Sequence, residues 1–155
     1  MQLTKSFTLK ELTRSQYATR NGLEDQFNPP KDITDSLTAL CQNILQPLRD
    51  AIGLPISVVS GYRSPQVNKA IGGAVTSQHV KGEAADIELY VEGQENNRYL
   101  FDKIIEMDLP FDQLISEYGT EEKPDWIHVS YSKVKNRGQQ LRAERINGKT
   151  VYRPL

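Results

Sequence analysis

The hydrophobic period changes partway along this chain, and that change leaves few architectures open. Leu37, Leu40, Ile44, Leu45 and Leu48 recur at helical spacing, which makes one face apolar on a helix from Thr34 or Asp35 to about Ala51. Pro47 is a candidate bend within it, and Gly53 ends it. Pro55–Ser60 then reads as a strand, and Ser64-Pro65 opens a helix that lasts until Gly72-Gly73. From Ala84 to Val91 polar and apolar residues alternate, placing Asp86 and Glu88 on the face opposite Ile87 and Leu89. A helix at about Gln94–Met107 gathers Leu100, Ile104 and Met107, and Asp112–Tyr118 and Trp126–Tyr131 read as further strands. Thr8-x-x-Glu11 near the start is a capping box, and Asn147-Gly148 near the end suits a type I′ hairpin turn. Helices early and hairpin-linked strands late predict an α+β fold. The sheet is expected to be mostly antiparallel with helices packed against it, not doubly wound and parallel.

The chain has 155 residues and no low-complexity segment that would divide it, so a single domain over residues 1–155 is expected. Its formal charge of −1 offers no footprint for nucleic acid or anionic lipid. The basic residues Lys133, Lys135 and Arg137 read as a solvated loop. Cys41 is the only cysteine, which excludes a disulfide framework and a thiolate metal site. It falls on the Leu37–Leu48 stripe and is expected to be a small buried hydrophobe. MQLTKSFTLKEL lacks the apolar stretch of a secretory leader, and no run reaches membrane-spanning length. Synthesis in the cytoplasm, no membrane partner and a monomeric state are the expectations.

There are only two histidines. His79 lies in a loop seven residues before Asp86, and His128 lies in the strand that follows Asp125. Two imidazoles and one carboxylate would leave an open position on a tetrahedral zinc, the arrangement that separates catalytic from structural sites. Asp125, three residues before His128, is read as the acid/base that exchanges protons with an activated water. Each fragment alone is common. A loop-capping His79 and a sheet-packed His128 are the plain alternative.

The wider run Ser77-Gln78-His79-Val80-Lys81-Gly82-Glu83-Ala84-Ala85-Asp86 resembles the Ser-x-His-x-x-Gly-x-Ala-x-Asp signature of the zinc D-Ala-D-Ala carboxypeptidase superfamily. That superfamily includes phage endolysin peptidases and the zinc domain of hedgehog proteins. Ser60-Gly61-Tyr62-Arg63-Ser64 and Asp125-Trp126-Ile127-His128 are similar to its other two motifs, in the same order. The flanking segments are similar to a compact bacterial and phage branch. The resemblance implies a hedgehog/D,D-peptidase-like fold and zinc held by His79, Asp86 and His128. It also implies Asp125 as catalytic acid/base and Arg63 toward substrate, with Ser77 toward substrate or in a loop hydrogen bond. The implied activity is hydrolysis of a peptide bond in peptidoglycan peptide, by an enzyme released in phage-type lysis or carried in a phage particle. Trp126 stands where hedgehog-type members carry a further histidine. Glu83, Glu88 and Glu117 are read as solvated carboxylates, with support of the metal site as the alternative. Two other functions remain: a non-catalytic zinc module that binds cell-wall peptide or protein, and a non-haem iron oxygenase. The latter places its carboxylate two residues after the first histidine, whereas the spacing here is seven.

Overall fold

In a computed structural model describing residues 1–155, Thr8 caps α1 (Leu9–Thr13) through the capping box read from the sequence. α2 (Gln16–Asn21) and a 3-10 turn (Glu24–Phe27) lead to α3 (Lys31–Leu40). α3 starts a turn earlier than expected, with Pro30 as its N-cap in place of Thr34 or Asp35. Lys31 and Asp35 pair across that extra turn at 2.9 Å. The helix continues through a π-helical segment, Cys41–Leu45, into α4 (Gln46–Ile52). Pro47 accounts for the widened turn. It offers no N–H, and its ring would press on the carbonyl four residues back in an unbroken α-helix. Here the Gln46 N–H reaches back five residues to the Cys41 carbonyl. The apolar stripe stays on one side, with Leu37, Leu40, Cys41, Ile44, Leu45 and Leu48 fully buried.

β1 (Ser57–Ser60), α5 (Pro65–Ala70) and β2 (Ala84–Glu88) follow, then a small ribbon of β3 (Tyr90–Val91) and β4 (Gln94–Glu95). α6 (Asn97–Glu106) precedes β5 (Gln113–Glu117), β6 (Trp126–Ser130), β7 (Gln139–Ile146) and β8 (Lys149–Pro154). Six strands form one sheet in the order β1-β2-β6-β5-β7-β8. All neighbours are antiparallel except β5 and β7. That exception arises because β6 turns back beside β5 and the chain then crosses to β5's other edge. The α+β, mostly antiparallel expectation holds.

Period-two alternation gives this sheet two unlike faces. Ala85, Ile87, Leu114, Ile127 and Val129 pack against α3, α4 and α6 in the main core. Asp86, His128, Ile115, Glu117 and Leu141 point the other way, into a cleft. No helix is long and apolar enough to cross a membrane.

Candidate metal centre

β2 and β6 make Asp86 and His128 direct cross-strand partners, and the loop before β2 carries His79 over them. Two glycines fix that loop. Gly82 has φ +70°, and a Cβ there would lie 2.9 Å from Ile33, so only glycine lets the loop settle on α3. Gly61, just after β1, packs so tightly against the Leu12 backbone that a Cβ would collide with its carbonyl. The Gly61 carbonyl in turn accepts a hydrogen bond from His79 Nδ1 at 2.7 Å. A carbonyl cannot donate, so Nδ1 carries a proton and Nε2 is the nitrogen left to bind a metal.

That Nε2 faces Asp86 Oδ1 at 3.3 Å, and His128 Nδ1 faces the same oxygen at 3.1 Å. The ligand atoms of His79, Asp86 and His128 all lie within 4.8 Å of one another. Both histidines are buried, with the rings edge to face at 5.1 Å. Burial would raise the Asp86 pKa, but the charges and hydrogen bonds of the two histidines hold it well below the usual carboxylate range. Two imidazoles and one ionised carboxylate, with no thiolate, form a donor set that fits zinc, and all three line the cleft.

Arg63 and Ser77 line the same cleft, whose volume is about 960 Å³. The Arg63 guanidinium forms no ion pair, its buried Nε has no partner, and burial lowers its pKa against the pull of Asp86 and Glu117. The Ser77 hydroxyl accepts from the His79 N–H at 3.2 Å and so holds the loop.

Asp125 lies elsewhere. It is exposed, stands outside the residues lining the cleft, and has Oδ1 beside Gly119. Strand alternation is the cause: Trp126 and His128 share the cleft face, and a residue three positions before His128 falls on the other. The carboxylate that the structure does bring to the centre is Glu117, read from sequence as solvated. It pairs across the strands with Trp126, two pairs along from Ile115 and His128, and so is a diagonal neighbour of His128 on the same face. Trp126 Nε1 donates to Glu117 Oε2 at 2.6 Å. Burial, then the negative charge of Asp86, raises the Glu117 pKa to about 7 despite the opposing pulls of His128, Trp126 and Arg63. The signal for it was available: in Gln113–Glu117, alternation puts Glu117 on the face of Gln113 and Ile115, away from the core residue Leu114.

No curated protein matches the chain. The sequence profile of the Peptidase M15 family matches residues 5–130, a stretch that takes in Arg63, Ser77, His79, Asp86, Glu117 and His128. M15 peptidases are zinc-dependent, and the residues able to hold that metal are gathered inside the matched segment: the chain belongs to the Peptidase M15 family.

Proposed function

We propose that this chain hydrolyses a peptide bond in bacterial cell-wall peptide. In this reading His79, Asp86 and His128 hold zinc, Glu117 is the acid/base, and Arg63 anchors a substrate carboxylate or carbonyl. The observation that carries it is convergence: the three ligand candidates, a carboxylate with a pKa of about 7 and an unpaired arginine all open into one cleft. When bound, zinc would supply a Lewis acid and lower the pKa of the attacking water. Glu117 takes the water's proton as the oxygen–carbon bond forms and returns it to the departing amine as the carbon–nitrogen bond breaks. Trp126 holds Oε2, which leaves Oε1 for the proton. The guanidinium of Arg63 matches a carboxylate fork, which the acidic peptides of the cell wall supply. The three-motif likeness to the cell-wall carboxypeptidases and endolysins supports that substrate class. A binding-only module would have no use for a carboxylate tuned like Glu117.

The test is digestion of purified peptidoglycan by zinc-loaded protein, with the new termini identified by mass spectrometry. Glu117→Gln is expected to keep its zinc and lose at least about a hundredfold in kcat, the usual worth of a positioned acid/base group. Asp125→Asn, made in parallel, is expected to stay within about threefold of the parent, since surface changes away from the chemistry cost little. The opposite ranking would return the acid/base role to Asp125, the residue favoured by motif spacing. No new termini with fully zinc-loaded parent would favour the binding module.

A further inference from the structure

The family-matched segment ends at residue 130, yet the cleft does not. Its far wall is the β7–β8 hairpin, which contributes Leu141, Arg145, Thr150 and Tyr152. The sheet register shows how. Trp126 lies opposite Glu117, Glu117 beside Ala143, and Ala143 opposite Tyr152, so these four residues form one row across β6, β5, β7 and β8 on the cleft face. Tyr152 is therefore two strands from Glu117, about 10 Å between backbones at ordinary strand spacing. Between them stands only the small Ala143, and the half-exposed Tyr152 lines the cleft that also holds His79, Asp86 and His128. The other cleft phenol is already engaged: the Tyr118 hydroxyl pairs with Thr150 Oγ1 at 2.8 Å, and Arg145 stacks over its ring at 4.9 Å. The Tyr152 hydroxyl makes no hydrogen bond within the protein and shares the cleft with Arg63, Glu117 and Asp86.

Resting on the peptidase reading above, we propose that Tyr152 is a further catalytic residue, whose hydroxyl donates a hydrogen bond to the oxygen of the scissile carbonyl as that oxygen becomes negative. No proton leaves Tyr152. Water oxygen bonds to the carbonyl carbon, Glu117 receives the water's proton, and the carbonyl electron pair moves onto the oxygen that Tyr152 faces. The pair returns as the carbon–nitrogen bond breaks and Glu117 protonates the amine. A donor fixed on a strand and aimed at the charge that develops stabilises the transition state more than the ground state. Burial first, then the charge of Glu117, raises the Tyr152 pKa above that of a free phenol, so the hydroxyl stays a donor throughout the range in which Glu117 works.

The test is Tyr152→Phe, which removes one oxygen and keeps the ring. On the peptide that the parent cuts, kcat is expected to fall about tenfold to a hundredfold, as for loss of a hydrogen bond to a charged oxygen, with KM little changed. Affinity for a phosphinate pseudopeptide, a tetrahedral mimic, should fall by the same factor in calorimetry. Affinity for the product peptide, zinc content and melting temperature should stay at the parent's values. Unchanged kcat in Tyr152→Phe overturns the role while leaving the peptidase reading intact, and so does a rise in KM alone. A zinc-loaded parent that cuts no peptide overturns the peptidase reading itself, and this role with it.

Discussion

Gly61→Ala should damage both the fold and the metal centre, through one contact. Gly61 is buried, and a Cβ on it would lie 3.0 Å from Leu12 Cα and collide with the Leu12 carbonyl. Leu12 is itself fully buried, so its backbone has nowhere to retreat. That same carbonyl accepts from the Tyr62 N–H at 2.7 Å, a hydrogen bond the displaced chain would lose. Overpacking of this kind costs about 1–3 kcal/mol and a lost hydrogen bond about 0.5–1.5, for a total of about 1.5–4.5 kcal/mol. Against a typical stability of about 5–15 kcal/mol this is a large fraction. The second effect runs through the Gly61 carbonyl, which holds His79 Nδ1 at 2.7 Å. A shift there frees the imidazole from its set tautomer and orientation, and loss of such a partner lowers metal affinity about tenfold to a hundredfold. Equilibrium urea unfolding measures the first effect, and competition with a zinc chelator measures the second. An unchanged urea midpoint would refute the packing argument. A lower midpoint with parental zinc affinity would refute the claim that Gly61 positions His79.

Two further outcomes are expected. Asp112 accepts hydrogen bonds from the Arg137 backbone and guanidinium and from Gln78, and the Arg137 side-chain bond above all holds its pKa at about 2. Because the folded-state pKa is the lower one, the stabilisation is full above the ordinary aspartate range and is lost as pH falls from about 4 to about 2. Arg137 is half exposed, so screening trims the gain to about 1–2 kcal/mol; urea midpoints across that pH range should fall in the parent, and Asp112→Asn should lack this step. Cys41 is buried with its thiol pKa pushed up to about 12, chiefly by burial, so a thiol reagent should leave the native protein unlabelled and modify one site per chain in denaturant.

The local elements were legible wherever one residue's chemistry decides the backbone. The Thr8–Glu11 capping box, the Ser64-Pro65 helix start and the Asn147-Gly148 turn all form as their side chains dictate. The π-helical turn was less so, because Pro47 signals a disturbance without saying whether the helix bends, breaks or widens. The parallel β5–β7 pair depends on which edge of β5 the chain returns to, and periodicity carries no information about that. In the centre, His79, Asp86 and His128 were legible because the motif spans a loop and a strand in unbroken order. Glu117 was not, because its place beside the centre appears only when β5 is known to pair with β6 in the observed register. Asp125 is the instructive residue. Its three-residue spacing from His128 suggests proximity, but on an extended strand an odd spacing separates two side chains onto opposite faces.

The hairpin of β7 and β8 also has a bearing on redesign. It joins the sheet along β5 alone, on the side away from β2, and its β8 strand is exposed along its whole length. The three strands and one loop that carry Glu117 and the metal-ligand candidates do not depend on its tip. Each pair of residues added on both arms would heighten that wall by about 7 Å while leaving the register at Ala143 in place. Grafting longer or differently charged tips around Asn147-Gly148 is therefore a route to altering what enters the cleft without rebuilding the side that carries His79, Asp86 and His128.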